Sequence, residues 1–424
     1  MGGTSLTINV TAGGASDFSS NSVTAGASGG NGATAGSAYG AGLFSGSNVI
    51  FNIAPGQTAT VDGIGGAGKI TDPNIGPRSI NPNVNGGIIV QGGGEVILTG
   101  ESYYSGATVV NVGQLTLGTD ALEQGTVSMV VGQAVGDDAR LQLQGGSRLI
   151  LYGYADGTDA ALMLAQTEHS KGELIIGDGT GSQGAFIGAH VIKGGEGDAT
   201  VRFTQSFATD STINPVFEMK STMTGSVSVV QDGEGTTLLV PESGENDFTG
   251  SVTVNSGILA TSGTVAAMAG TEGITLMGGS TFQLGQSEGI NDTAYLTMQG
   301  GMMTMSLDLN ETMGAWSVLD DSSFDFEGNA VTLTFQSLTI SAQLSVWNWD
   351  GTKDHIYVTD GNSGITGGVE QILFYSDQGQ SFLGYGAFSG SEIIIVPEPS
   401  SLALALLGLS LLVYARRSRL RVVA

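Results

Sequence analysis

The chain is 424 residues long, with 13 basic against 39 acidic side chains, a formal net charge of −26, 70 glycines and no cysteine. That charge repels nucleic acid and anionic lipid, which excludes DNA binding and charge-driven membrane attachment. The absence of cysteine excludes disulfides and thiolate metal sites. A hydrophobic content of 40% is too high for a disordered chain, and eight prolines without a glycine triplet repeat exclude a collagen-like helix.

From the N-terminus onward, short apolar-alternating runs recur between Gly, Asn, Asp and Ser. Leu6-Thr7-Ile8-Asn9-Val10, Val49-Ile50-Phe51-Asn52-Ile53, Val96-Ile97-Leu98, Leu141-Gln142-Leu143 and Val331-Thr332-Leu333-Thr334-Phe335 carry the β-branched content and period-two alternation of strands. Residues 1–85 read as a Gly/Ser/Ala-rich N-terminal β segment. Ala160–Thr167 has room for two helical turns, and the one long helix expected is at the C-terminus.

Two segments match in register. Tyr104-Ser105-Gly106-Ala107-Thr108-Val109-Val110-Asn111-Val112-Gly113-Gln114-Leu115 aligns with Phe248-Thr249-Gly250-Ser251-Val252-Thr253-Val254-Asn255-Ser256-Gly257-Ile258-Leu259. Gly113 and Gly257 permit positive φ at a corner. Asn111 and Asn255 are placed to turn the chain and bond the next coil. Leu115 and Leu259 return to the core, and Tyr104 and Phe248 are expected to stack inside. The element resembles the passenger-associated repeat of autotransporter passenger domains. Gly94-Glu95-Val96-Ile97-Leu98-Thr99-Gly100 supplies the first half of that motif, and Gly235–Pro241 a degenerate version of it. Ala41–Gly63 looks like the strand block that precedes such repeats.

The resemblance implies an all-β chain built as a right-handed parallel β-helix. Coils of roughly 20–25 residues cannot bury their apolar side chains alone, and stacking buries them. Residues 86–330 would then form about ten coils, a rod of roughly 50 Å. Stacking leaves open sheet edges that must be covered. Trp347, Trp349, Tyr357, Phe374, Tyr375, Phe382, Tyr385 and Phe388 cluster late in the chain, so residues 331–396 read as a β-rich C-terminal cap. The C-terminal barrel of autotransporters has no room here.

Candidate chemistry is sparse. His169, His190 and His355 lack a second histidine at metal-ligand spacing and read as surface or packed residues. Asp137-Asp138 and Asp320-Asp321 are the adjacent aspartate pairs. An inverting hydrolase needs carboxylates converging across a groove, and solvated turns are the competing reading for both pairs. Gly194-Gly195-Glu196-Gly197-Asp198 is one imperfect copy of a calcium nonapeptide. Asn348, Asp350, Gly351 and Asp354 are a fragment of a calcium loop. Gly66-Ala67-Gly68-Lys69-Ile70 lacks the spacing and hydroxyl of a phosphate loop. No catalytic residue, metal or cofactor is expected.

The chain ends in three parts: Pro397-Glu398-Pro399, an apolar run, and an arginine cluster. Leu402–Tyr414 holds seven leucines and no charge, and Arg416, Arg417, Arg419 and Arg421 follow. Seven leucines contribute about −2 to −4 kcal/mol to membrane insertion, enough for a marginal span over residues 400–415. The arginines would stay cytoplasmic, with residues 1–399 outside. Without the four tail arginines and Glu398, nine basic residues face 38 acids, a net charge of −29.

This tail resembles the PEP-CTERM sorting signal of Gram-negative bacteria over residues 397–421. The runs Trp347–Gly351 and Ile372–Ser376 resemble the segment that often precedes it. The resemblance implies recognition by an exosortase-type membrane transpeptidase acting near Pro397–Pro399, after export by the general machinery. Met1-Gly2-Gly3-Thr4 has neither a basic n-region nor an apolar h-region, so the export signal is expected upstream of the start. The reading is an exported, non-enzymatic surface or matrix β-solenoid. It is first held transiently at the inner membrane, and extracellular polysaccharide or surface proteins are its candidate partners. The rival is a secreted polysaccharide hydrolase or lyase on the same scaffold.

Overall fold

A computed structural model describes residues 5–14, 16–18, 43–44, 47–65, 86–103, 106–118, 121–124, 129–144, 147–150, 162–177, 186–188, 191–206, 216–241, 245–262, 266–361 and 365–397. These residues wind as a parallel β-solenoid in which strands stack on their counterparts one coil away.

A first face stacks Leu6–Val10, Val49–Ile53, Ile88–Gln91, Thr108–Val110, Met129–Val131, Leu162–Leu164, Val191–Gly194 and Thr222–Thr224. A second face runs nearly the whole length, from Ser16–Phe18 through Glu95–Leu98, Gly113–Leu117 and Asp198–Phe203 to Tyr295–Gln299. A third face has two runs, one from Leu43–Phe44 to Phe186–Gly188 and one from Val216–Met219 to Ile372–Tyr375. The long strands Leu309–Asp320 and Val331–Ile340 turn a corner and pair with each other on both sides of it.

Strand alternation explains the interior. In Val49–Ile53 the first, third and fifth residues are buried, and in Glu95–Leu98 the second and fourth are. Parallel in-register pairing places Val96 on Leu115 and Leu115 on Leu141, so each inward row becomes a continuous apolar column. At roughly 25 cal/mol per Å² of apolar surface buried, these columns dominate the stabilisation.

The parallel ladder crosses both boundaries drawn from sequence. Val49–Ile53 pairs with Ile88–Gln91 across residue 86, and Leu309–Asp320 pairs with Val331–Ile340 across residue 331. The antiparallel closure begins later. Phe382–Ser389 folds back on Ile372–Tyr375, and Glu392–Val396 pairs with Phe382–Ser389, covering the edge of the last coil. Trp349 and Phe374 lie inside the stack, while Tyr385 is exposed.

The helical turns expected over Ala160–Thr167 are not formed where this segment is described. Leu162–Leu164 is a strand between Met129–Val131 and Val191–Gly194, and Ala165 takes a positive φ of 49° as the chain leaves it. Leu162 and Leu164 alternate inward on either side of Met163, and column burial outweighs the local helical preference.

The repeat corners behave as their residues require. Gly113 has φ +104° and Gly257 φ +63°, and a Cβ on either would lie 2.2 Å from a carbonyl oxygen of the preceding coil, of Gly94 and of Gly233 respectively. The backbone N–H of Asn111 donates to the Val90 carbonyl, and that of Asn255 to the Gln231 carbonyl. Asn255 Nδ2 donates to Asp232 Oδ1 at 2.5 Å. These bonds run back to the preceding coil, not forward to the next as the sequence suggested. Asn111 Oδ1 is buried without a partner among the described residues. Leu115, Leu259 and Phe248 are fully buried, while Tyr104 lies outside the described residues.

Candidate functional site

The sorting segment begins at the end of the last strand among the described residues. That strand is Glu392–Val396, and Pro397 follows it directly as an exposed residue. Proline fixes φ and carries no N–H, so it cannot extend the ladder. Glu398, Pro399, residues 400–415, Arg416, Arg417, Arg419 and Arg421 lie outside the described residues. Among the described residues no helix is long and apolar enough to cross a membrane.

One aspartate of each adjacent pair and both aspartates of the calcium-loop fragment are bound to the backbone, whereas Asp138 lies 3.4 Å from Arg140. Asp137 Oδ2 accepts the N–H groups of Gln133 at 3.0 Å and Ala134 at 2.7 Å, closing a turn. Asp321 Oδ1 accepts the Gln343 N–H of the next coil at 2.9 Å. In the calcium-loop fragment, Asp350 Oδ1 accepts the N–H and the hydroxyl of Thr352, which holds its carboxyl below the usual range. Asp354 is buried, which pushes its carboxyl up, and accepts N–H groups from Val331 and Asp350. No group of three His, Asp or Glu among the described residues is placed to hold a metal. His169 is exposed on a turn, His355 Nδ1 lies 2.6 Å from Glu392 Oε1 in the cap, and His190 lies outside the described residues.

Sequence reading missed Glu311. It points into the stack and accepts the N–H groups of Gly289 at 2.9 Å and Ile290 at 3.2 Å from the coil before it. Burial pushes its carboxyl up to about 8, and Glu288 and Asp292 nearby add to the rise. The only sequence signal is an acid at an inward position of an alternating strand.

Sequence reading also missed an open groove of about 370 Å³ on the outside of the later coils. Two successive coils turn their corner with paired glycines, Gly278-Gly279 and Gly300-Gly301, which project no side chain. The next coil turns with Asp320-Asp321-Ser322, and this leaves a notch above the carboxylate. Along the third face Thr281, Met302, Ser323 and Ser345 stack in register in successive coils. Trp347, assigned to the cap from sequence, closes the groove as a half-buried side chain. Gly379 lies against its pyrrole edge, so that a Cβ there would stand 3.3 Å from the indole nitrogen.

Residues 396–420 match the PEP-CTERM protein-sorting motif, and residues 88–117 and 229–260 each match the passenger-associated-transport-repeat. No curated protein and no solved structure matches the chain. In the structure each repeat spans strands of two successive coils that stack on each other: Thr108 on Ile88 and Leu115 on Val96 in the first, Val252 on Val229 and Ile258 on Thr236 in the second. The chain therefore carries two passenger-associated-transport repeats within its parallel stack and a PEP-CTERM sorting motif immediately behind its last strand.

Proposed function

We propose that this is an exported, non-enzymatic β-solenoid of the cell surface or extracellular matrix, structural or adhesive in role. A right-handed coil is the hand expected for parallel crossovers. An exosortase-type membrane transpeptidase is its processing partner, and the general export machinery delivers it. Residues 400–415 hold it transiently in the inner membrane with the folded body outside. The final body sits on the outer surface or beyond it.

The observation that carries this reading is the junction at Pro397. The sorting motif starts at the last described strand of a capped stack and Pro397 is exposed, so a peptidase acting there need not unfold any described coil. The non-enzymatic reading is supported by Asp137, Asp321, Asp350 and Asp354, each already accepting backbone N–H groups. A surface charge near −29 would keep such a rod soluble once released.

The test is the intact mass and C-terminal peptide of the protein recovered from the surface of the producing cell. A terminus near Pro397–Pro399 is expected. A chain that still reaches Ala424 in the membrane fraction would make the tail a plain anchor and remove the transpeptidase.

A further inference from the structure

We propose that the groove between Gly279 and Trp347 is a binding site for a linear, uncharged saccharide lying along the solenoid axis, one ring per coil. This deepens the surface-solenoid reading by naming a ligand class.

Four polar groups at the groove have no hydrogen-bond partner among the described residues: Thr281 Oγ1, Ser323 Oγ, Asp321 Oδ2 and Trp347 Nε1. Other hydroxyls at these corners are bonded to backbone. Ser280 donates to the Met277 carbonyl of its own turn, and Ser322 accepts the Gly300 N–H of the preceding coil and donates to the Asp320 carbonyl of its own. The unpartnered groups are spaced by the coil repeat, about 4.8 Å for neighbouring coils and twice that between Thr281 and Ser323. One coil is comparable with the length of one sugar ring, so a linear chain of rings would meet Thr281 on the first coil, the apolar Met302 on the second, and Ser323 with the Asp321 carboxylate on the third.

Trp347 supplies the apolar half of the recognition. An indole offers a flat face to the C–H side of a sugar ring and an N–H to its hydroxyls. Its edge is fixed by Gly379, so little side-chain freedom is lost on binding. Gly279 lets a ring approach the backbone closely, because a Cβ there would stand in open space and meet the ligand. The volume lies in the range of small-molecule sites, roughly 300–1,000 Å³.

The charge at the site selects the class. The groove is lined by Asp321 and by no lysine, arginine or histidine. An acidic saccharide would meet an uncompensated carboxylate, whereas an uncharged one presents donors to it. The groove is lined by four successive coils, so the site exists only in the stacked state.

The test uses the full-length chain in mild detergent, titrated with cellohexaose, laminarihexaose, mannohexaose and, as the acidic control, hexagalacturonate. Binding is followed by calorimetry and by tryptophan emission, in which Trp347 is the half-buried indole beside the buried Trp316 and Trp349. Saturable binding of at least one uncharged hexaose and none of hexagalacturonate is expected. Trp347→Ala should weaken binding about tenfold or more, and Asp321→Asn should weaken it less. Ser323→Arg, at an outward position, should block the groove while the circular dichroism and melting of the chain stay unchanged. Failure of all three uncharged hexaoses, preference for hexagalacturonate, or binding indifferent to Trp347→Ala and Ser323→Arg would each overturn the proposal. None of these outcomes alters the C-terminal mass that tests surface sorting.

Discussion

The early and late coils reach the same architecture with different sequence rhythms. In the late stack, register partners follow one another at a near-constant interval: Val252, Ile274, Leu296, Trp316 and Leu338 are separated by 20 or 22 residues. In the early stack, Leu6 pairs with Val49 and Val49 with Ile88, separations of 43 and 39 residues. The interiors differ too. Early columns are mostly aliphatic, with Phe51, Phe203 and Phe217 among them, whereas the late columns centre on Trp316, stacked on Phe324 at 4.8 Å and Phe335 at 4.6 Å. Extra residues between coils cost little, because closure entropy rises only about 0.6 kcal/mol per doubling of loop length. Register is set by the inward rows, and their spacing along the chain is free to vary.

The largest break in that comparison should come from Trp316→Ala. The side chain is fully buried and touches aromatic rings in its own coil and the next. Removal should cost about 3–5 kcal/mol, transfer and cavity together. Because a solenoid's stability is a sum of coil and nearest-neighbour terms, the loss should be local. Hydrogen exchange should accelerate over residues 295–347 and stay unchanged over residues 88–143. Val131→Ala, in an aliphatic column, should show the reverse pattern at a smaller cost. Uniform acceleration from both variants would mean that the two regions unfold as one unit.

A smaller effect, of about 2–4 kcal/mol, is expected for Gly257→Val. A β-branched residue at φ +63° is strained, and its Cβ would press on the Gly233 carbonyl of the coil below. The urea midpoint should fall without a change in the slope of the transition. A midpoint within error of the unchanged protein would show that the corner can relax, and that the repeat glycine is not a steric requirement.

The same contrast shows what could be read in advance. The corner glycines, the inward leucines and the parallel stack were legible, because Gly113, Gly257, Leu115 and Leu259 each have one physical reason to sit at their position in the repeat. The start and end of the stack were not. Val49–Ile53 and Ile88–Gln91 are neighbours in space but lie 39 residues apart, and no period announces the pairing. The late aromatics suggested a cap, yet Trp349 and Phe374 are interior rings, and among the described strands the antiparallel turn-back begins at Phe382–Val396. Leu162–Leu164 was misread because three residues cannot separate a helical period from a strand period. The groove at Trp347 was hidden for a different reason: its walls come from coils that sequence order keeps about 20 residues apart.

Acidity offers a finer probe of the late coils. Glu311 has a folded pKa of about 8, above its ordinary value, so its protonated form is favoured in the folded state. Its stabilising contribution is complete below the unfolded value near 4.5 and is lost as pH rises through about 8. Stability of the late coils should therefore decline between pH 5 and pH 8.5, by up to about 4 kcal/mol. Glu311→Gln should flatten that decline while lowering stability at pH 5, since an amide cannot serve both N–H groups equally well. If the decline persists unchanged in Glu311→Gln, the titrating group lies elsewhere.

The smallest effect belongs to the early coils, which carry a ladder of charges on their second face. Arg140 reaches Glu173 at 3.3 Å, Arg202 reaches Glu173 at 2.6 Å, and Arg202 also pairs with Asp232. The ladder concentrates two of the chain's few arginines against acids of neighbouring coils. Each side chain remains between a fifth and a half exposed, so water and salt screen the pairs. Arg202→Gln should cost about 1 kcal/mol or less, and the cost should shrink toward zero in 1 M salt. The same salt should leave the effect of Trp316→Ala unchanged or slightly larger, because burial is not screened. A salt-independent cost for Arg202→Gln would mean that its long stem, lying over the coil surface, does more than its charge. The two ends of the stack would then be held by packing alone and would differ only in rhythm.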